Sequence, residues 1–164
     1  MSFVSRESEN KIDVLIDGKL FTSYCWYDGI YKPILYPVYS KTGAEITRGY
    51  PLNPKVGERT DHMHQIGIWF NYGNVNGFDF WNNGNRGQKN RNGGEIKHIK
   101  VEKLSEGRGE GLLITRESWV DPTEKELLSE RTEYHFIANE LVHIIDRITT
   151  LTATIDTVRF KDSK

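Results

Sequence analysis

The sequence LLSERTEYHFIANELVHIIDRITTL, residues 127–151, decides the fold class of this chain. In the first half of this stretch, the side chains that would share one face of a strand occur at every second position, which is the period of a β-strand. The residues that carry this period are Glu130, Thr132, Tyr134 and Phe136. The letters ELLSER at 126–131 are also compatible with a helix, but the period of two runs through them and favours a strand. A break at Asn139-Glu140 then separates two predicted strands, 127–137 and 141–151.

Several segments before this stretch have residue patterns that are typical of strands. We place them at residues 12–17, 19–27, 34–39, 66–72, 75–81, 96–104 and 112–120. Asp17-Gly18 supplies a two-residue hairpin turn between the first two. Pro33 and Pro37 require the 34–39 strand to lie at a sheet edge or to contain a bulge. Since no long helix is convincing, the sequence predicts an all-β fold of about ten strands, best accommodated as an antiparallel β-sandwich.

The C-terminal residues continue the strand pattern. Residues 149–160, TTLTATIDTVRF, still favour a strand, and the sequence stops at Lys164. A terminal strand without a partner leaves an open sheet edge, which can pair with a second chain. We therefore expect one β-sandwich domain over 1–164 that is incomplete at its C-terminus and forms the front part of a longer protein. Self-association through the open edge is part of this expectation.

The composition excludes several classes of partner. The chain has 22 basic and 23 acidic residues, so it lacks the positive footprint of a nucleic-acid-binding protein or a polybasic membrane patch. Its apolar runs are too short to span a bilayer, and its polar N-terminus has no secretory signal, so we expect a cytoplasmic protein. The lone Cys25 excludes an internal disulfide, and we expect it to be a half-buried thiol on a strand.

The densest group of titratable and aromatic side chains lies between residues 48 and 81. Within it, Asp61-His62-Met63-His64 places two imidazoles two residues apart, and in an extended chain both rings project from one face. Because imidazole titrates near neutral pH, such a pair suits general acid–base catalysis. We predict His62 and His64 as catalytic groups, with Arg59 and Asp61 orienting them. The alternative is that these polar groups only satisfy one another.

A His-x-His sequence also occurs in metal sites, so His62 and His64 are alternative ligands for a divalent transition metal. A cupin-like site would need a glutamate shortly after the second histidine, where this chain has Ile68 and Trp69. The remaining histidines are better explained as ordinary strand residues: His98, His135 and His143. We therefore predict no cofactor and keep the metal as the alternative.

Trp69 and Trp81 close the two strands predicted after the histidines, and Asp79 lies beside Trp81 by the period of two. An exposed indole near polar groups suits a sugar, because the sugar ring stacks on the indole while its hydroxyls form hydrogen bonds. We predict Trp69, Asp79, Trp81 and Arg48 as substrate-binding residues; buried core indoles and a surface arginine are the alternatives. The polar loop at 82–94 is predicted to be mobile and to act as a lid.

Four segments of the chain resemble a bacterial family of unknown function that is labelled "PmoA family" or "methane oxygenase". The segments are 14–24, 32–64, 67–82 and 146–164. Members of that family are longer than this chain, which matches their first half. The family is similar to galactose-mutarotase-like supersandwich folds and occurs beside carbohydrate-degrading genes. The resemblance therefore implies a supersandwich-like fold and a role in sugar chemistry.

The central motif of that family is DHPHH-x-G-x-WF. It falls on residues of this chain as follows: Asp61, His62, His64, Gly67, Trp69 and Phe70. Met63 stands where proline is usual, Gln65 where a third histidine is usual, and Ile66 where a basic residue is frequent. A mechanism that needs three imidazoles is therefore in doubt for this chain.

Three functional hypotheses follow. The leading one is a carbohydrate-active protein, as an isomerase, lyase or hydrolase, that uses the Asp61-His62-Met63-His64 site on a sugar or sugar derivative. The second is a metal-dependent enzyme with His62 and His64 as ligands. The third is a non-catalytic module that binds a small molecule or carbohydrate.

Overall fold

The computed structural model describes residues 1–82, 84–85 and 88–162, and within these residues all regular structure except one 3-10 turn is β-strand. The strands are β1 (Ser2–Arg6), β2 (Lys11–Ile16), β3 (Lys19–Cys25), β4 (Ile34–Val38), β5 (Gly84–Asn85), β6 (Gln88–Lys89), β7 (Glu95–Glu106), β8 (Glu110–Val120), β9 (Glu126–Ala138) and β10 (His143–Ala153). The 3-10 turn covers Glu7–Glu9. No helix in this part of the chain is long and apolar enough to cross a bilayer.

The strands form two antiparallel four-stranded sheets. The first has the order β1-β2-β3-β4 and the second the order β10-β9-β8-β7. The predicted turn between β2 and β3 is present, with positive φ angles of 51° at Asp17 and 76° at Gly18. Such angles match the right-handed twist of the flanking strands. The predicted all-β fold is confirmed.

The main core lies between the two sheets. Residues of the first sheet in this core are Ile12, Val14, Phe21, Tyr24, Leu35 and Val38, and those of the second are Leu113, Tyr134 and Phe136. Along β9 the burial alternates, so that Tyr134 and Phe136 face the core while His135 between them is only partly buried. The period of two in β9 therefore reflects a sheet that has one buried face. The two sheets pack on each other as a sandwich.

Strand β4 lies at the edge of the first sheet, as its prolines required. The Tyr36-Pro37 peptide bond is cis, and the pairing of β4 with β3 shifts its register between Thr22 and Tyr24. Next to β4, Cys25 is fully buried rather than half-buried as predicted. Its burial raises the pKa of the thiol to about 11, so the thiol is unreactive at neutral pH.

The strands predicted at 66–72 and 75–81 are wrong. This part of the chain makes only isolated bridges, such as Leu35 with Ile68 and Val75 with Phe78. A continuous ladder is interrupted because Gly67 has a φ of 61°, outside the β region. The apolar residues of 75–80 instead pack onto the second sheet, where Val75 and Phe80 join Trp119 in a second core cluster.

Both ends of the chain also differ from the prediction. Strand β1 was not predicted, yet it pairs with β2 along its whole length. The predicted 149–160 strand ends as β10 at Ala153, and the chain then bends before Phe160 forms a single bridge with Val75. Strand β10 is the outer strand of its sheet, with β9 as its hydrogen-bonded neighbour in the described structure.

The predicted loop at 82–94 contains the short ladder between β5 and β6. Residues 83, 86 and 87 of this loop lie outside the described residues, and so do residues 163 and 164 at the end of the chain. The lid role predicted for the loop stays a prediction.

Candidate functional site

The Arg48 guanidinium shapes the segment that carries the histidines. Its two terminal nitrogens donate to the backbone carbonyl oxygens of Asp61 at 3.0 Å, His62 at 2.9 Å and Gln65 at 3.1 Å, with a longer contact of 3.4 Å to Arg59. A planar fork of donors suits such a set of converging acceptors better than a point charge does. Arg48 therefore stabilises the turn that contains the histidines, and most of its N–H donors are used in hydrogen bonds to the backbone.

The His62 imidazole forms a pair with the neighbouring carboxylate. Its Nδ1 lies 3.0 Å from Asp61 Oδ2, and the guanidinium of Arg59 lies 2.9 Å from the same oxygen. Partial desolvation acts to raise the pKa of Asp61, but the His62 hydrogen bond and the Arg59 charge outweigh it and hold this pKa below its usual value. The His62 side chain is 57% exposed, so its second ring nitrogen is within reach of solvent.

The extended conformation assumed for residues 61–64 is wrong. His62 has a φ of 49°, in the left-handed region, and its carbonyl accepts a turn hydrogen bond from the Gln65 N–H at 2.9 Å. The two imidazoles nevertheless lie together, with ring centroids of His62 and His64 5.8 Å apart in an edge-to-face arrangement. The turn, rather than strand alternation, brings the rings together.

The rings continue into the two predicted indoles. The centroid of His64 lies 6.4 Å from that of Trp81, and Trp81 lies 6.0 Å from Trp69. These spacings fall within the usual range of aromatic contacts. We call His62, His64, Trp81 and Trp69 the aromatic row.

Two hollows open at Trp81. The first has a volume of about 330 Å³, and its lining includes Asn71, Asp79, Trp81 and Asn82. The second has a volume of about 430 Å³ and is lined by Gly67, Ile68, Trp69, Phe70, Asn71 and Trp81. Asn71 and Trp81 thus form the wall that both hollows share. His64 lies beside Trp81 and His62 lies beside His64, and neither imidazole lines either of these hollows.

Asp79 holds the backbone next to Trp81. Its Oδ1 accepts hydrogen bonds from the backbone N–H groups of Trp81 and Asn82, both at 2.8 Å. Its own backbone bonds with Asn92 and Gly94, which ties this turn to the start of β7. Asp79 therefore holds the backbone that carries Trp81, and Asp79 also lines the first hollow.

Lys32 belongs to this site, although the sequence did not suggest it. Its ammonium lies 5.2 Å from the centroid of the Trp69 ring, and the residue is only 2% exposed. Within the described ranges its Nζ has no hydrogen-bond partner. Burial lowers the pKa of Lys32 to about 8, and the Asp79 carboxylate opposes this effect. A lysine before a proline in a turn resembles a surface residue, so the sequence carried no signal for it.

Asn71 was missed as well. Its Nδ2 donates to the Phe80 carbonyl at 2.9 Å, while its Oδ1 is buried and has no hydrogen-bond partner among the described residues. Buried acceptors of this kind are rare and point to a bound water or ligand group.

The other histidines lie on strands away from the aromatic row. His98 bonds to the Tyr24 hydroxyl through Nδ1 at 2.9 Å, His135 lies 3.6 Å from a carboxylate oxygen of Glu133, and His143 contacts the Phe21 ring. Across the described ranges, no group of three His, Cys, Asp or Glu side chains is arranged to hold a metal ion.

A buried polar layer lies between the sheets, below the second hollow. The Tyr24 hydroxyl donates to Glu117 Oε1 at 2.8 Å, and Arg147 donates to Glu130 Oε1 at 2.6 Å. The Arg147 guanidinium lies 4.7 Å from the ring centroid of Phe70, which lines that hollow. The sequence does contain a signal for these buried glutamates, because the period of two in β8 and β9 places Glu117 and Glu130 on the core face.

The fold and the site define an antiparallel β-sandwich protein with indole-lined surface hollows. The chain belongs to a family of unknown function, DUF6807, which matches residues 11–164. Among curated proteins and among solved structures, none matches the chain significantly. The resemblance to the PmoA-labelled family and to galactose-mutarotase-like folds stays a prediction.

Proposed function

We propose that this protein binds a sugar or sugar derivative against Trp81 and performs acid–base chemistry on it with His62. The observation that carries the proposal is the position of the Trp81 indole between two hollows that also present amide and carboxylate groups. A relation to galactose-mutarotase-like folds, as the sequence resemblance implies, belongs to the same proposal.

The lining of the hollows matches the chemistry of a sugar. A pyranose presents C–H groups that stack on an indole face and hydroxyls that need acceptors and donors at the rim. Trp81 supplies the face, and Asp79 supplies a carboxylate at the first hollow. The buried Asn71 Oδ1 supplies an acceptor that a sugar hydroxyl would satisfy.

The Asp61–His62 pair supplies the candidate acid–base group. With its Nδ1 directed at Asp61, the His62 imidazole is held in one orientation and its Nε2 is left for proton transfer. His64 connects this imidazole to the Trp81 platform. Arg48 is a positioning residue in this proposal, because its donors hold the backbone of the turn.

One observation favours a second candidate, a sugar-binding module without catalysis. Neither imidazole lines a hollow at Trp81: His64 lies beside that indole, and His62 lies one ring further away, beside His64. A ligand confined to the hollows would then touch the indoles without meeting His62. The metal-dependent alternative stays a prediction that elemental analysis of the purified protein can test. A cytoplasmic location also stays a prediction, and a single buried thiol is compatible with it.

Tryptophan fluorescence tests the proposal. Titration with neutral monosaccharides and with their uronic acids should change the emission of the wild type. Trp81→Phe should abolish most of the change. Trp26→Phe is the matched control, because Trp26 stacks on His98 at 4.2 Å and lines neither hollow. A folded protein whose emission responds to none of these sugars would contradict the proposal.

The two candidates differ in the His62→Asn variant. If the site is catalytic, a sugar that binds is also converted by the wild type, and the variant keeps binding while its turnover falls by about 10²–10⁴-fold. If the site only binds, no sugar that changes the emission is converted, as followed by NMR of the anomeric protons.

A further inference from the structure

Lys32 occupies an unusual place for an amine. It lies in the connection between β3 and β4, next to Tyr31, whose carbonyl accepts the N–H of Ile96 at 2.9 Å. This contact fixes the connection against the start of β7, so the lysine is carried by backbone bound to both sheets. The side chain then runs inward, and only 2% of the residue is exposed.

The Lys32 amine packs on an aromatic ring and has no hydrogen-bond acceptor among the described residues. Its described neighbours include the Trp69 ring at 5.2 Å, and no acceptor lies within hydrogen-bond distance in the described ranges. A buried ammonium without an acceptor is unfavourable, so the neutral amine is populated near neutral pH. The neutral amine is the nucleophilic form of lysine.

The amine is close to the proposed binding site. Trp69, which it contacts, lines the second hollow, and Asp79, whose charge acts on it, lines the first. Asn71 lies in the wall between the hollows and has a second buried polar atom without a partner among the described residues. These two buried groups beside one pair of hollows would both be satisfied by a ligand with complementary groups.

We propose that Lys32 captures the carbonyl carbon of an open-chain aldose or ketose as an imine. This inference rests on the proposed sugar site and names the form of sugar that the site selects. The amine packs on the Trp69 ring, which lines the second hollow, and Lys32 itself does not line it, so the proposal requires the Trp69 ring to move for the sugar to reach Nζ.

The reaction balances without an oxidant or a reductant. The Nζ lone pair forms a bond to the carbonyl carbon, and the C=O π electrons move to oxygen, which takes a proton to give a carbinolamine. Loss of the hydroxyl as water, with loss of the remaining N–H proton, leaves the C=N bond. Asp79 is the carboxylate that takes and returns these protons, because its charge already acts on the Lys32 amine.

A carbonyl fits this site better than a carboxylate does. A ligand carboxylate beside Lys32 would also lie near Asp79, and the repulsion between the two anions would offset the attraction of the single ammonium. A carbonyl carries no charge, and the hydroxyls of the same sugar can donate to Asn71 Oδ1.

Reductive trapping tests the proposal on the whole chain. The protein is incubated at pH 7 with glycolaldehyde and cyanoborohydride, and modified peptides are quantified by mass spectrometry over time. A lysine with a pKa near 8 has on the order of 100-fold more neutral amine at pH 7 than an ordinary surface lysine. Even with hindrance from burial, we expect Lys32 to be modified at least about tenfold faster than the exposed Lys41.

A matched pair of ligands separates carbonyl capture from simple binding. An aldose and its alditol share the hydroxyls, but the alditol has no carbonyl. With cyanoborohydride present, the fluorescence change caused by the aldose should persist through dialysis, and that caused by the alditol should be reversed. In the Lys32→Met variant both changes should be reversed. Near-UV circular dichroism verifies that this variant is folded.

The outcomes distinguish the two proposals. If sugars change the tryptophan emission but Lys32 is modified no faster than Lys41, the imine is overturned and the binding site stands. If glycolaldehyde selects Lys32 while no sugar changes the emission, carbonyl capture is supported and the sugar site is overturned.

Discussion

Replacing Glu117 with glutamine tests how the sandwich tolerates two buried carboxyl groups. Glu117 and Glu130 are direct cross-strand partners in β8 and β9, and they are only 3% and 1% exposed. Arg147 and the Trp119 indole N–H both donate to Glu130, at 2.6 Å each. Glu117 accepts from the neutral Tyr24 hydroxyl instead. The charge of Glu117 is therefore the less well compensated of the two.

The sign of the effect follows from the pKa. Burial, together with the charge of Glu130, raises the pKa of Glu117 from 4.5 to about 7. The folded state therefore holds this proton more tightly than the unfolded state, and stability is lost as the pH rises from about 4.5 to 7. At about 1.4 kcal/mol for each pH unit, the loss reaches about 3 kcal/mol above pH 7. Glutamine keeps the acceptor for Tyr24 and cannot ionise, so it removes this loss.

His98 has the opposite dependence on pH. Burial lowers the pKa of His98 from 6.5 to about 4, so stability is lost as the pH falls from about 6.5 to 4. Because this side chain is partly exposed, we expect about 2 kcal/mol rather than the full value. His98 and Glu117 both bond to the Tyr24 hydroxyl, and their two opposite dependences on pH partly cancel between pH 5 and 6.5.

The assay is urea unfolding, followed by tryptophan fluorescence, at pH values from 4.5 to 8. The gain in unfolding free energy of Glu117→Gln over the wild type should grow from near zero at pH 4.5 to about 3 kcal/mol at pH 8. His98→Asn should remove the loss at low pH. Glu133→Gln is the control, because Glu133 is partly exposed and paired with Arg131. If Glu117→Gln is less stable than the wild type at pH 8, the reasoning about the buried charge is refuted.

Two further substitutions test the irregular segments. Arg48→Lys should lower the free energy of unfolding in urea by about 1–3 kcal/mol, because one ammonium cannot bond to all the carbonyls that the guanidinium holds. Arg59→Lys, on the surface, is the control and should change the free energy of unfolding by less than about 0.5 kcal/mol. Gly67→Ala should reduce thermal stability by about 2 kcal/mol or more, because the new Cβ would lie 2.4 Å from the Leu35 carbonyl oxygen at a positive φ; Gly77→Ala, also at positive φ but in open space, should lose about half as much.

The second sheet could be predicted from the sequence most clearly at β9, where one face of the strand lies on the core. From Leu128 to Phe136 in β9 the buried side chains fall at every second position, so the period is visible in the sequence. The same reasoning failed at 66–81, where apolar residues are buried by packing rather than by pairing. Val75 and Phe80 lie in a core cluster without belonging to a ladder. A pattern of apolar residues shows that a segment is buried, and it does not show how its backbone bonds are satisfied.

The residue types of the site were predictable, and their geometry was not. The pairing of Asp61 with His62, and the neighbourhood of Trp69 and Trp81, agree with the predicted grouping. The left-handed conformation of His62 depends on an arginine 14 residues earlier in the chain, which no local pattern reveals. Burial of Lys32 depends on Trp69, which comes from a different part of the chain. Long-range contacts of this kind carry no local signal in one sequence.

The backbone of residues 48–82 is held largely by charged side chains in place of a ladder. Arg48 binds carbonyl oxygens near the histidines, Glu58 accepts from the N–H groups of residues 49, 50 and 55, and Asp79 accepts from those of residues 81 and 82. Arg48 and Asp79 were substrate-binding candidates in the sequence, yet part of the hydrogen-bonding capacity of each is used by the backbone. Among the described residues, the exposed His62 imidazole and the Lys32 amine make no side-chain hydrogen bond to the backbone. Because chemistry requires groups that can act on a ligand, these side chains are where substitutions should alter function without first unfolding the segment.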